Sequence, residues 1–150
     1  MRFTFDSNVL IYAIDSSAGG HHTAAAALLR RAARRDCVLT LQILGEFFHV
    51  ATRKTRLSPT NAGLAVERWC AVFAVHAASE KCLAAAIETV KRHQLSFWDA
   101  MLWATAGEAG CRLLLSEDLH DGQTLDGVTC VNPFEPKNAM LIEAALPSVP

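Results

Sequence analysis

Short apolar runs separated by helix-forming stretches are the feature that most constrains the fold of this chain. Such runs lie at residues 3–5, 37–40, 75–77, 111–115 and 128–131. The stretches between them are rich in Ala and Leu, which favour helix. Strands that alternate with helices predict an α/β fold, with a mostly parallel sheet of about five strands covered on both faces.

Composition indicates one globular domain spanning residues 1–150. The chain is 51% hydrophobic and 19% charged, which is typical of a protein with a substantial core. Its formal net charge is −1, so any nucleic acid would have to bind through a local patch.

The cysteines and the start of the sequence indicate a cytoplasmic protein. The five cysteines form no CxxC pair, and most lie in apolar runs, as expected for reduced, buried thiols. The sequence starts Met1-Arg2 and continues into a predicted strand, without the apolar segment of a signal peptide. No apolar run approaches the roughly 20 residues that a membrane-spanning helix needs.

Two of the predicted strands end in polar, acidic corners. The first is followed by Asp6-Ser7-Asn8, and the fourth is followed by the segment 116–118, which also contains an aspartate. If these strands are neighbours, the two corners meet at the carboxyl edge of the sheet, where ligands bind. All three residues of the first corner also favour helix N-caps, so Ser7 or Asn8 could cap the next helix and leave Asp6 free.

Two further carboxylates lie on predicted helices. Glu46 projects at or beside the apolar face of a helix over residues 41–54, a costly position unless something pairs with it. Asp99 opens a later helix, where the pattern Ser96-x-x-Asp99 also matches a capping box.

Four carboxylates in one cleft would repel one another and raise one another's pKa. A divalent cation removes that repulsion, and ligation by oxygen alone favours Mg²⁺ or Mn²⁺. The four candidates are Asp6, Glu46, Asp99 and Asp118.

The segments around these carboxylates resemble the four acidic motifs of PIN domains. The chain is most similar to the VapC-type ribonuclease toxins of VapBC toxin–antitoxin modules. The motifs are Asp6-Ser7-Asn8, Leu41-Gln42-Ile43-Leu44-Gly45-Glu46-Phe47, Ser96-Phe97-Trp98-Asp99-Ala100 and Leu115-Ser116-Glu117-Asp118-Leu119.

The resemblance implies a PIN-like three-layer α/β/α sandwich and a Mg²⁺- or Mn²⁺-dependent endoribonuclease. It further implies an RNA substrate, a homodimer and a cognate VapB-type antitoxin. Asp6, Asp99 and Asp118 would hold the metal, and Glu46 would either bind it or orient the attacking water. Asp121 would supply a further carboxylate or act as an ordinary turn residue. Ser116, together with either Ser7 or Asn8, would orient the metal ligands through hydrogen bonds.

Several neighbouring residues have a functional and a structural interpretation. The basic side chains of segment 53–56 could reach phosphate, but a cationic helix C-terminus is the simpler interpretation. We predict that Trp98 packs in the core rather than stacking on a base. His49 and His120 are predicted to lie outside the site.

The acidic corner after the first predicted strand is compatible with two other functions. A phosphatase of the haloacid dehalogenase type requires a second aspartate two residues after the first, and that position is Asn8. The second alternative is a non-catalytic PIN-like module that binds RNA or a protein. Core packing alone, however, gives no reason for four acidic residues at these positions.

Overall fold

The computed structural model describes residues 1–148, and the secondary-structure elements below are those of this range. The strands are β1 (Phe3–Phe5), β2 (Val38–Thr40), β3 (Ala74–His76), β4 (Leu113–Leu115), β5 (Thr124–Leu125) and β6 (Val128–Val131). The helices are α1 (Ser7–Ile14), α2 (Gly20–Ala32), α3 (Leu41–Lys54), α4 (Pro59–Val72), α5 (Glu80–Arg92), α6 (Phe97–Glu108) and α7 (Ala139–Ala145).

The main sheet has the strand order β1-β4-β6-β5. β1 pairs with β4 and β4 with β6 in parallel, whereas β5 runs antiparallel to β6. β2 and β3 form a second, parallel pair. A parallel bridge between Phe3 and Cys37 joins this pair to the β1 edge. The predicted mainly parallel α/β fold is therefore confirmed.

The register of β1 and β4 brings the two acidic corners together. Phe5 lies opposite Leu115, so the next residues, Asp6 and Ser116, leave the sheet side by side. The Asp6 amide donates a hydrogen bond to the Leu115 carbonyl at 2.9 Å. The corners consequently meet at the carboxyl edge, as expected for neighbouring parallel strands.

The centre of the sheet is buried on both faces. Every residue of β1 and β4 is buried, and Phe3, Phe5, Leu114 and Leu115 are inaccessible to solvent. Strands covered on both sides explain why these segments are continuously apolar rather than alternating.

Some predicted elements differ in detail. The two-residue strand β5 was not predicted because it is too short to produce a periodic pattern. All five cysteines are free thiols, but Cys70 is exposed on α4 rather than buried.

No helix in the described part of the chain is long and apolar enough to cross a membrane.

Candidate active site

Asp6 is the buried centre of the acidic corner, with only 6% of its surface exposed. One carboxylate oxygen, Oδ1, accepts a hydrogen bond from the Ser7 amide at 2.7 Å. The other, Oδ2, accepts one from the Ser116 hydroxyl at 2.7 Å. Asp6 itself therefore caps α1, and the expectation that Ser7 or Asn8 would take that role is wrong.

Burial is the main cause that raises the pKa of Asp6 to about 6. The hydrogen bonds from Ser116 and Ser7 lower it, and the negative charges of Glu46 and Asp118 raise it further. Glu46 and Asp118 thus lie near enough to act on the Asp6 charge. Repulsion between a buried carboxylate and its neighbouring carboxylates favours the binding of a cation.

Asp118 is exposed, but hydrogen bonds with Ser116 and Asn8 hold it in position. Its backbone amide donates to the Ser116 hydroxyl at 3.2 Å. Its Oδ2 accepts a hydrogen bond from Asn8 Nδ2 at 3.0 Å. Ser116 therefore contacts both aspartates, and Asn8 holds the second one. The Asn8 Oδ1 atom is buried and has no hydrogen-bond partner in the described chain.

Glu46 is half-buried on α3, on the side of the helix that faces the start of α6. Its Oε1 accepts a hydrogen bond from Gln42 Nε2 at 2.8 Å. The same nitrogen donates to the Trp98 carbonyl at 3.0 Å. Gln42 therefore links one candidate catalytic carboxylate to the residue next to Asp99. It was missed from the sequence, although its position four residues before Glu46 places both on one helix face.

The side chain of Trp98 is 61% exposed, so the predicted core packing is wrong. Its indole makes an edge contact with the ring of Phe97, with ring centroids 5.0 Å apart. The buried positions of α6 are instead filled by Ala100, Leu102 and Trp103.

Asp99 is half-buried in the first turn of α6. Its backbone amide donates to the Ser96 hydroxyl at 3.1 Å, so Ser96 is the N-cap. The Asp99 carboxylate makes no hydrogen bond within residues 1–148. It lines a cleft together with Asp118. The capping role thus falls to Ser96 and leaves the carboxylate of Asp99 available.

The chemistry of the four carboxylates suits a hard divalent cation. Within residues 1–148 none of them forms an ion pair with Lys, Arg or His. Carboxylate oxygens and the unpartnered Asn8 Oδ1 are the type of ligand that Mg²⁺ and Mn²⁺ prefer.

The arrangement is more open than the sequence suggested. Nowhere in residues 1–148 are three His, Cys, Asp or Glu side chains grouped so that they could hold a metal ion. Mg²⁺ commonly binds one or two carboxylates and keeps several of its waters, so an enclosing cage is not required. The residues therefore fit the ion that the family resemblance implies by their oxygen chemistry, and not by a geometry already closed around it.

A second set of contacts, missed from the sequence, anchors the loop that carries Asp118. The Tyr12 hydroxyl donates to Glu117 Oε2 at 2.5 Å, and His21 Nε2 lies 3.0 Å from Glu117 Oε1. The hydrogen bond to Glu117 is the main cause that raises the pKa of Tyr12 to about 12. Tyr12 follows Asn8 by four residues, so one face of α1 holds both Glu117 and Asp118.

The contacts of Asp121 are those of a turn residue, and none of them involves the four candidate metal ligands. Its Oδ1 accepts hydrogen bonds from the Asn132 amide at 2.8 Å and from Asn138 Nδ2 at 2.9 Å. Its Oδ2 lies 2.7 Å from Lys137 Nζ. The hydrogen bond from Lys137 is the first cause that lowers the pKa of Asp121.

We expect Asp121→Asn to lower the free energy of unfolding without changing metal binding. The substitution weakens charge-assisted hydrogen bonds that tie residues 132–138 to the loop after β4, at a cost of about 1–2 kcal/mol. Urea unfolding measures this loss. Loss of the thermal stabilisation by Mn²⁺ in this variant would instead assign Asp121 to the metal site.

Of the other residues considered near the site, some line the cleft and some lie on the surface outside it. Arg53 and Lys54 lie in the last turn of α3, where cations stabilise the helix end. His49 is exposed and does not line the cleft. His120 does line it, so the prediction that this histidine lies outside the site is wrong.

Comparison with known proteins agrees with this arrangement of strands. The sequence model of the PIN domain matches residues 3–120, a range that includes all four acidic motifs. The chain belongs to the PIN domain family. A search of curated protein sequences gives no significant match.

Solved structures of VapC toxins and VapBC complexes share the fold of this PIN domain. VapC20 of Mycobacterium tuberculosis, a toxin that cleaves the sarcin–ricin loop, is 20% identical with a TM-score of 0.65, over 77% of this chain and 89% of that one. VapBC2 of Rickettsia felis, bound to a DNA fragment from its promoter, is 12% identical with a TM-score of 0.64, over 87% and 97%.

A toxin–antitoxin complex from Klebsiella pneumoniae is 20% identical with a TM-score of 0.63, over 88% of this chain and 98% of that chain. At these identities the likeness concerns the fold, and it covers nearly the whole length of the similar chains.

Proposed function

We propose that this PIN domain is a metal-dependent endoribonuclease and the toxin of a type II toxin–antitoxin system. The observation that carries the proposal is the buried Asp6 carboxylate, which meets the Ser116–Asp118 corner at the carboxyl edge of the sheet. Nearby carboxylates without cationic partners favour the binding of a cation, and the similar structures are a VapC toxin, a VapBC complex and a further toxin–antitoxin complex.

Each carboxylate has a role in this proposal. Asp6, Asp99 and Asp118 hold Mg²⁺ or Mn²⁺, and Glu46 either binds the ion or orients the attacking water. Ser116 and Asn8 keep Asp6 and Asp118 in position through their hydrogen bonds. When bound, such an ion polarises an RNA phosphodiester and activates water for its hydrolysis. No side chain of this chain forms a covalent intermediate.

A cognate VapB-type antitoxin and a second copy of the chain are the proposed protein partners. The VapBC complexes of Rickettsia felis and the toxin–antitoxin complex of Klebsiella pneumoniae support the first. Helix α5 also leaves Leu83, Ile87 and Val90 between 38% and 45% exposed on one side. An exposed apolar stripe of this kind is typical of a surface that contacts another protein.

The proposal is tested by mapping new RNA 5′ ends produced by the antitoxin-free protein with Mg²⁺ or Mn²⁺ and with EDTA. We expect metal-dependent cleavage at defined positions. Asp99→Asn should lose at least about 100-fold in rate, because it removes several kcal/mol of transition-state stabilisation.

Asp126→Asn is the matched control, since Asp126 is exposed in a turn with a φ of 47° that Asn also tolerates. Identical maps of RNA ends for the wild type and Asp99→Asn would refute the proposed nuclease. RNA binding without cleavage would favour the non-catalytic module.

A further inference from the structure

A cleft of about 650 Å³ opens directly beside two of the candidate catalytic carboxylates. The loop between α5 and α6 forms one part of it, and the segment after β4 forms the other. Its lining consists of His93, Gln94, Leu95, Ser96, Asp99, Asp118, Leu119, His120 and Gln123. This volume lies within the range of about 300–1,000 Å³ found for small-molecule sites, and a nucleobase with its ribose fits in it.

Four lining side chains have hydrogen-bonding groups that the protein does not use. Within residues 1–148 the imidazoles of His93 and His120 and the amides of Gln94 and Gln123 form no hydrogen bond. The amide of Gln42, by contrast, is bonded to two groups of the protein. The amides and imidazoles of the cleft are therefore available to a ligand.

Apart from the proposed metal ion, nothing in the cleft lining would attract a phosphate. None of the nine lining residues is Lys or Arg, and the two acidic ones are Asp99 and Asp118. A further phosphate, with no metal ion beside it, would be repelled by these carboxylates. A nucleobase instead offers an uncharged edge of donors and acceptors, which a glutamine amide can bind with two hydrogen bonds. The side chains of Leu95 and Leu119 add apolar contact area.

The geometry points to a nucleobase-binding subsite, in which Gln94 and Gln123 bind the edge of an unpaired base next to the scissile phosphate. This inference rests on the proposed endoribonuclease function, because the neighbouring Asp99 and Asp118 are its candidate metal ligands. It makes the loop residues 93–94 and 120–123 the determinants of which RNA sequence is cut. Single-stranded loops, whose bases are not stacked in a helix, are the RNA that such a pocket accepts.

The first measurement is a cleavage preference. A pool of single-stranded RNA with a randomised centre is cut with Mn²⁺ by the wild type, by the double variant Gln94→Ala/Gln123→Ala and by the control Asn61→Ala. Asn61 is an exposed amide on α4 outside the cleft. We expect the wild type to discriminate among bases at one position beside the cut.

In the double variant this discrimination should fall by about tenfold or more, because each two-bond contact to a base contributes a factor of that order. In Asn61→Ala the total rate on the pool should stay within about threefold of the wild type, since the four carboxylates and the cleft lining remain. The same base preference in the double variant, or the same loss in Asn61→Ala, would overturn the inference.

The second measurement does not require cleavage. Each of the four nucleosides, which carry no phosphate, is titrated into the wild-type protein while the side-chain amide NMR signals of Gln94 and Gln123 are followed. Shifts that depend on the base support the subsite, even if the protein cuts no RNA and the proposed nuclease fails. Cleavage with an unchanged preference and no nucleoside-dependent shift would refute the subsite and leave the nuclease in place.

Discussion

Asp6→Asn is expected to abolish the thermal stabilisation by Mn²⁺ and to lower RNA cleavage by about 1,000-fold, or about 4 kcal/mol in the activation barrier. At a Mn²⁺ concentration of about 100 Kd, the wild type gains about 2.7 kcal/mol. For a chain of this size that gain raises Tm by about 5–10 °C. The variant should gain less than about 1 °C, because its central ligand has lost its charge.

Without metal the same substitution should have the opposite effect on stability. Burial raises the folded-state pKa of Asp6 from 3.8 to about 6. The stability linked to its protonated form is complete below pH 3.8 and is lost as the pH rises through about 6. At pH 7.5 with EDTA, Asp6→Asn should therefore be more stable than the wild type by up to about 3 kcal/mol.

Urea unfolding at several pH values measures this difference, which should narrow below pH 6 and be nearly closed by about pH 4. The matched control is again Asp126→Asn, which should leave cleavage, metal response and stability unchanged. Full retention of the Mn²⁺ response by Asp6→Asn would show that Asp6 is not a ligand.

Phe5→Ala is expected to cause the largest loss of stability, about 3–5 kcal/mol. Phe5 is fully buried in β1 and its ring packs edge-on against Phe3, with centroids 5.6 Å apart. The cavity left by the ring removes contacts at the centre of the main sheet. Since a domain of this kind has a total stability of about 5–15 kcal/mol, the loss should lower Tm by about 10 °C or more.

Phe48→Ala is the matched control, because Phe48 on α3 is 40% exposed. It should lower the free energy of unfolding by less than about 1 kcal/mol. Equal losses in urea unfolding for the two variants would contradict the assignment of the core to the faces of the β1–β4 sheet.

A sequence predicts best those elements whose pattern of apolar residues directly indicates which residues are buried. β1 and β4 were predicted from their apolar residues, whereas their pairing was only the condition under which the two acidic corners would meet, and the structure shows that pairing. β3 gave a weak pattern because Ala74 and Val75 are exposed. The apolar pattern of a strand reflects its burial, so an exposed strand shows only a weak pattern.

The cleft could not be predicted because it depends on loops that are distant in sequence. Gln94 and Gln123 come from two connectors, and no local spacing relates them. The exposure of Trp98 was equally hidden, since its position in an apolar stretch gave the same signal as that of the buried Trp103. Asp6 caps α1 with one carboxylate oxygen while Ser116, 110 residues further along the chain, donates to the other, a contact that no local pattern reveals.

The anchoring of Glu117 by Tyr12 and His21 has a consequence for how tightly an ion can bind. Fixing a free residue costs about 1–2 kcal/mol of backbone conformational entropy. Residues 116–118 become ordered when the chain folds, through hydrogen bonds to α1 and α2. For an ion bound by Asp118, as proposed, little of the binding free energy would therefore be consumed in ordering the loop.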